Sequence, residues 1–406
     1  MNITKLKTVK LEGSRSLLSL LASGVGAELR PISDEAMSEV TGQAFLSVDR
    51  DYHPDPSNTT SYTRINLGME IDVQTNVDVL ELGRYEREGE RTGSSDVLIE
   101  DFALGYINNQ AYFDKNPKAA RQVKPDGSPY GEGEIVPFQI IDPFFEFAFD
   151  EASNEVVGVR LGFGEAMGVL SGSIQSLTGN VNIDIIDTGQ GLREAENSTG
   201  GFFDQLVQLL TPVLAGGSPL ITKAQLVQGP DAPNAGELDP IRAEFVGVPN
   251  GESFVMEDVN GAVAGIIDFI SPTLSSELYT TNCSGFLFGS CDVVVVARDC
   301  EVLGIEACFS LDQYNSFPVG ELESDGSGGR RIVAPKEGAF ISFQTKDLEW
   351  LTDVKNTSAT PEDFIRATSG AFFNIPNGAV EVNLAEALNG TARYRTEYID
   401  RGKGLF

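Results

Sequence analysis

Between Ile65 and Val79 the chain alternates with a period of two. Ile65, Leu67, Met69, Ile71 and Val73 are separated by Asn66, Gly68, Glu70 and Asp72, and Val77 and Val79 continue the pattern. Successive side chains of a strand point to opposite faces, so this spacing predicts one long, half-buried strand. Turn-forming clusters bound it: Asp55, Pro56, Ser57 and Asn58 before, and GERTGSS from Gly89 to Ser95 after.

Further strands are predicted over Val97–Ile107, Phe138–Asp150 and Glu155–Gly164, and Val293 to Val296 is a β-branched run suited to a buried strand. Ser171-Gly172-Ser173-Ile174 and Thr178-Gly179-Asn180-Val181 repeat one pattern seven residues apart. A solenoid needs three or more units, so these read as consecutive strands joined by turns. Helical spacing occurs in FFDQLVQLLTPVLAGG after Gly200, and GAVAGIIDFI from Gly261 fits a helix or a buried strand equally well. Thr360-Pro361-Glu362-Asp363 predicts a helix start, and Asn383 with Glu386 and Gly390 predicts a short capped helix. The expected fold is mainly β, with long antiparallel strands in an extended or sandwich-like sheet system and a few short helices.

Residues 1–27 hold Lys5, Lys7, Lys10 and Arg15, then the apolar stretch Leu17 to Ala27, with Val25 and Ala27 placed for cleavage. That order predicts a signal peptide and a mature chain from Glu28. Beyond it the sequence divides into a short helical element (28–44), a β-rich domain (45–200), a mixed α/β segment (201–330) and a C-terminal β/α segment (331–406). GSGGRR from Gly326 to Arg331 reads as a hinge or surface loop, and the polar stretch from Lys115 to Glu134 as a long functional or mobile loop. Cys283, Cys291, Cys300 and Cys308 are an even set in one segment, expected as two disulfides of unspecified connectivity; their spacing lacks the close pairs of zinc knuckles.

The 29 Lys+Arg against 60 Asp+Glu give a net charge of −31. Binding to nucleic acid rests on clustered cations, so that partner class is excluded. An acidic exported chain offers carboxylates to a hard cation, and Asp49, Asp51 and Asp55 are the candidate calcium ligands, with Asp184 and Asp187 around a second loop. Neither group has an EF-hand pattern, and a solvated acidic face is the preferred reading. His53 is the one histidine, in DYHPDP, and is expected as an exposed loop residue. A secreted hydrolase would have to use His53 or Asp187; no Gly-x-Ser-x-Gly elbow accompanies the first, and no second Asp-Ser/Thr-Gly accompanies the second. Phe144, Phe145, Phe147, Phe149, Phe372 and Phe373 suggest a binding module for an apolar ligand or lipid, although such residues more often form core. Phe406 at the end raises an outer-membrane barrel, but stepping back by two meets Gly404, Gly402 and Asp400, which breaks the apolar alternation a lipid-facing strand needs.

The stretch ISDEAMSEVTGQAF, through Ser33, Asp34, Met37, Val40, Thr41, Gly42 and Gln43, resembles an element found after the signal peptide in uncharacterised exported proteins of gammaproteobacteria. Some of these are labelled pilus-assembly proteins of the FilA type. The resemblance implies a cell-envelope or surface location and carries no catalytic residues. The expected role is therefore structural or interactive rather than enzymatic, in adhesion or pilus-like assembly, with protein partners or self-assembly and peripheral outer-membrane association. Open strand edges supply a physical route to it.

Overall fold

The computed structural model describes residues 46–187, 220–261, 264–265, 277–284, 289–302, 305–326 and 329–397. The predicted signal peptide, the 28–44 helical element with its family resemblance, the helix after Gly200 and the C-terminal residues from 398 lie outside them. Most described residues are strand, and fifteen strands share one sheet. In chain order these are β1 (Leu46–Tyr52), β2 (Thr60–Leu67), β3 (Glu70–Val73), β4 (Thr75–Arg84), β5 (Ser95–Leu104), β6 (Phe138–Asp150), β7 (Glu155–Leu177) and β8 (Gly179–Asp187). They continue as β9 (Leu220–Val227), β10 (Phe245–Gly247), β11 (Cys308–Ser310), β12 (Ser316–Val319), β13 (Lys336–Glu337), β14 (Phe340–Gln344) and β15 (Gly370–Val382).

The spine is β7. Along one side it pairs first with β6, from Glu155 opposite Asp150 to Met167 opposite Gln139, and then with β5, from Leu170 opposite Leu104 to Leu177 opposite Val97. Outside these lie β2 and β3 on β6 and β4 on β5. Residues 60–84 thus form one row in three hydrogen-bonded lengths, not the single strand the alternation predicts. The breaks fall at Gly68-Met69 and at Gln74, where the partner changes from β6 to β5. Asp142, at φ +48°, donates its N–H to the Met69 carbonyl and marks the first break.

The other side of β7 pairs with β14, β13 and β12. β15 follows, and β8 lies parallel to it, from Gly179 opposite Phe373 to Ile185 opposite Val382. β9, β10 and β11 complete the sheet in antiparallel order. The parallel pair departs from the all-antiparallel expectation, and it joins strands nearly 200 residues apart, which a hairpin cannot do. Strands from all three predicted segments after residue 45 share this sheet.

The Ser171–Ile174 pattern is interior to β7, so the expected turn there is absent. Gly168 and Gly172, at φ +145° and +154°, let the strand bend where it changes partners, and a Cβ at Gly168 would press on the Phe138 backbone at 2.8 Å. Around residues 166–169 both faces of β7 are covered. Ala166 packs with Ile99, Ile140, Ile174 and Phe317, whereas Met167 and Val169 pack with Tyr106, Phe113, Ile332 and Tyr394. A third cluster gathers Tyr62, Ala148, Phe340, Trp350 and Phe372.

Val293–Val296 lies in the central strand (Ser290–Val296) of a separate three-stranded sheet, between Ser253–Asn260 and Glu277–Thr281. Of GAVAGIIDFI, Gly261, Ala264 and Gly265 are helical, and the other seven residues lie outside the described ones. The cysteines pair in sequence order, Cys283 with Cys291 and Cys300 with Cys308, at S–S distances of 2.08 and 2.07 Å.

One local expectation is corrected and two are made more specific. Thr360 forms a capping box with Asp363, but one 3₁₀ turn follows and the chain re-enters a strand at Phe364–Ala367, whose residues pair with Leu348–Leu351. The Lys115–Glu134 stretch is packed: Arg121 and Gln122 join a sheet beside Arg330–Ala334, and Val123 bridges Pro129. Gly326 and Gly329 belong to the turn between the paired strands Glu321–Ser324 and Arg330–Ala334, a surface hairpin, with the Asp325 N–H bonded to the Gly329 carbonyl. Two short helices are described over their whole length, α1 (Gln110–Lys115) and α2 (Leu384–Asn389). The latter has the predicted cap: the Glu386 N–H donates to the Asn383 side chain.

Candidate interaction surface

Among the described residues β1 pairs only with β2 and stands at one end of the sheet. The His53 N–H donates to the Thr60 carbonyl at 3.2 Å, one step beyond the paired register. In an antiparallel ladder the bonded pairs alternate, so Asp51, Asp49 and Ser47 turn their main-chain groups toward β2. Leu46, Val48, Arg50 and Tyr52 turn theirs to the open edge. Edges of this kind accept another strand unless charge, proline or a bulge blunts them.

The two sides of this edge differ chemically. On one, Val48 lies opposite Ile65, Ile65 opposite Phe145, Phe145 opposite Leu161, and Leu161 opposite Ile341. A second row runs through Thr63, Phe147, Val159 and Phe343. Val48 is 59% exposed, Tyr52 62%, Phe145 42% and Phe343 44%, so this apolar band faces solvent and ends at the open strand. Phe144 and Phe372 are core as expected, Phe147, Phe149 and Phe373 are half-buried, and Phe145 is the exception that points outward.

The opposite side carries a charge ladder in strict register: Asp49 opposite Arg64, Arg64 opposite Glu146, Glu146 opposite Arg160. Arg64 reaches Asp51 at 3.2 Å and Glu146 at 3.3 Å, with Asp49 at 3.9 Å. The inner Glu146 accepts the Arg160 Nε–H, and Arg160 donates from Nη1 to the Leu351 carbonyl at 2.7 Å. Arg160 is fully buried among the rings of Phe144, Phe340 and Trp350, each within 5.2 Å of its guanidinium carbon. Burial lowers its pKa, and the Glu146 charge opposes that fall. Sequence reading missed the ladder because its members sit in four strands and only register brings them together.

The calcium candidates fall into two groupings here. Asp49 and Asp51 face Arg64, with the Asn66 amide also bonded to Asp49. Asp55 accepts the Ser57 N–H and hydroxyl at 2.8 Å, and these bonds hold its carboxyl below the usual range. Among the described residues no three His, Cys, Asp or Glu side chains are placed to share a metal ion.

His53 is buried, not exposed. Its Nδ1 accepts the Asp55 N–H at 3.1 Å, its ring packs on Phe364 at 4.4 Å, and Nε2 lies 3.2 Å from Glu349 Oε2. That last contact is at ion-pair distance but lacks hydrogen-bond alignment. Beside it, burial raises the Tyr62 pKa, and the Tyr62 hydroxyl donates to the Glu349 carbonyl. No hydroxyl or thiol among the described residues is bonded to the imidazole. Asp187 ends β8, and the Thr188-Gly189 that follows lies outside the described residues.

Comparison with protein-family models, curated proteins and solved structures finds no match to this chain. The class defined by the fold is a mainly β protein with two disulfides. Such bonds persist in oxidising compartments, which points outside the reducing cytosol. Among the described residues no helix is long and apolar enough to cross a membrane.

Proposed function

We propose that this chain is an exported cell-envelope or cell-surface protein that works by association, in adhesion or pilus-like assembly, using β1 to receive a strand from a protein partner or from another copy. The observation that carries this reading is the open edge of β1, continuous with the apolar band through Ile65 and Phe145. Strand addition draws affinity from main-chain hydrogen bonds and specificity from alternate side chains, and both are presented here. The two disulfides support the compartment, and the resemblance near Ser33 supports the envelope of a Gram-negative cell. Peripheral retention at the outer membrane fits the same apolar band.

Cell fractionation combined with surface-protease accessibility tests the location. The oxidised protein is expected in the envelope fraction. Full-length protein in the cytosol with four free thiols would contradict the proposal.

A further inference from the structure

Strand by strand, the charge side of the β1 edge alternates in sign. Arg160 on β7 is followed by Glu146 on β6, Arg64 on β2, and Asp49 with Asp51 on β1. The inner members are enclosed, with 1%, 3% and 9% of the Arg160, Glu146 and Arg64 side chains exposed, whereas Asp49 and Asp51 are 49% and 53% exposed. Both outer acids lean on Arg64, which Glu146 also holds at 3.3 Å. The row therefore reaches the open edge on its acids, and one position further out a cation would continue the alternation.

The backbone favours close pairing at those positions. Asp49 and Asp51 turn their main-chain groups to β2, so toward an antiparallel newcomer they stand at the non-bonded places, where facing Cα atoms are about 4.5 Å apart and side chains meet most closely. On the other side Val48 and Tyr52 are exposed at the same edge, and Arg50 between them is held by Glu151 at 2.8 Å. A fitting strand is thus apolar on one face and basic on the other.

The same acids disfavour a second copy of this chain. Matching the outward groups of Leu46, Val48, Arg50 and Tyr52 in two antiparallel copies sets Asp49 against Asp49 of the other copy at full overlap. Sliding by two toward Tyr52 sets it against Asp51 of that copy. Like charges directly opposite are destabilising, so these acids block self-pairing while leaving the edge open to the opposite sign.

We propose that the occupant of the β1 edge is a basic amphipathic strand of another protein, with Lys or Arg at alternate positions facing Asp49 and Asp51 and apolar residues on its other face beside Val48 and Tyr52. This partner presupposes the strand-accepting edge proposed above, and the peptides and variants below separate the two.

The test uses the full chain and three synthetic peptides of about eight residues. One alternates Lys with Val or Thr, the second has Glu in place of Lys, and the third is the Lys peptide N-methylated at its Val and Thr nitrogens, whose N–H groups would bond to β1. In fluorescence anisotropy at about 0.15 M salt, the Lys peptide should bind at one site per chain, at least about tenfold more tightly than either control. Asp49→Asn/Asp51→Asn, with its melt little changed, should weaken the Lys peptide about fivefold and strengthen the Glu peptide. Val48→Pro should abolish binding of the Lys peptide. Lys and Glu peptides that bind alike, a Lys-peptide affinity unchanged in the double Asn variant, or a wild type that dimerises through β1 would overturn this partner; loss of the same binding in Val48→Pro would leave the edge itself standing. A Lys peptide that fails to bind would also overturn it. Equal binding of the N-methylated peptide, or binding unchanged in Val48→Pro, would remove the edge together with the partner.

Discussion

Replacing Glu146 by Gln cuts the charge ladder at its buried centre. The substitution keeps shape and one acceptor but removes the charge between Arg64 and Arg160. Arg64 retains Asp51 near the surface, while Arg160, with 1% of its side chain exposed, retains only the Leu351 carbonyl and three aromatic rings. Removing one partner of a buried pair costs about 3–5 kcal/mol because the other charge stays buried and uncompensated. Since Gln can still accept a hydrogen bond, the lower end, about 3 kcal/mol, is the expected loss. Urea unfolding followed by tryptophan fluorescence reads this directly. Trp350 is the one tryptophan, fully buried and 5.0 Å from the Arg160 guanidinium. The reasoning has a second arm: Glu146→Leu with Arg160→Met removes both charges and should recover most of the loss, because well-packed apolar replacements of a buried pair are often neutral or stabilising. A loss under about 1 kcal/mol in the single variant, or a double variant no more stable than the single, would refute it.

Each disulfide closes a loop with a sequence separation of 8, which by chain entropy is worth about 2.5 kcal/mol. Cys283 is exposed while Cys300 and Cys308 are buried, so timed alkylation and mass spectrometry should show Cys283–Cys291 reduced first. Gly83→Ala should destabilise by at least about 2 kcal/mol, since φ is +67° and the new Cβ would overlap the buried Asp96 carboxylate. Gly89→Ala, also at positive φ but with open space around it, should cost only about 1 kcal/mol; thermal melts of the pair separate the two effects. Arg84 and then Ser95 hold Glu81 below its ordinary pKa, Arg366 does the same for Asp347, and Lys346 for Asp150. A carboxyl whose folded pKa is depressed adds stability that is complete above its unfolded value, near pH 4, and is lost as the pH falls through the folded one. Melting temperature should therefore fall below about pH 4, and a melt that rises steadily through that window would contradict the assignment.

Local signals in the sequence proved reliable where one element decides its own fate. Phe138–Asp150 is a strand over those same residues, because its apolar run is bounded by Pro137 and by the turn after Asp150. Asn383, Glu386 and Gly390 set a helix by bonds within seven residues. Thr360–Asp363 carries the same kind of signal and yields one turn, since pairing of Phe364–Ala367 with Leu348–Leu351 outweighs propagation. The site was less legible. Nothing local in EVVGVRLGFG marks Arg160 as buried, and its burial follows from Glu146, which only the β6–β7 register places opposite it. His53 looks like a loop residue until Phe364 and Glu349, some 300 positions later, close over it. Phe145 reads as core beside Phe144, yet alternation turns it to the open side, where no described element covers it.

Sedimentation velocity on the wild type and on Val48→Pro, over a concentration series in 0.15 M salt, tests the β1 edge most directly. At that ionic strength the mutual repulsion of chains carrying −31 each is screened beyond about 8 Å. Proline at 48 removes an outward N–H and leaves the bonds of Ser47, Asp49 and Asp51 to β2 in place, as edge strands tolerate. The account predicts concentration-dependent association of the wild type, alone or with its envelope partner, and its loss in a variant whose melt is little changed. Equal association of the two proteins, or a wild type that stays monomeric and captures no partner through β1, would contradict it.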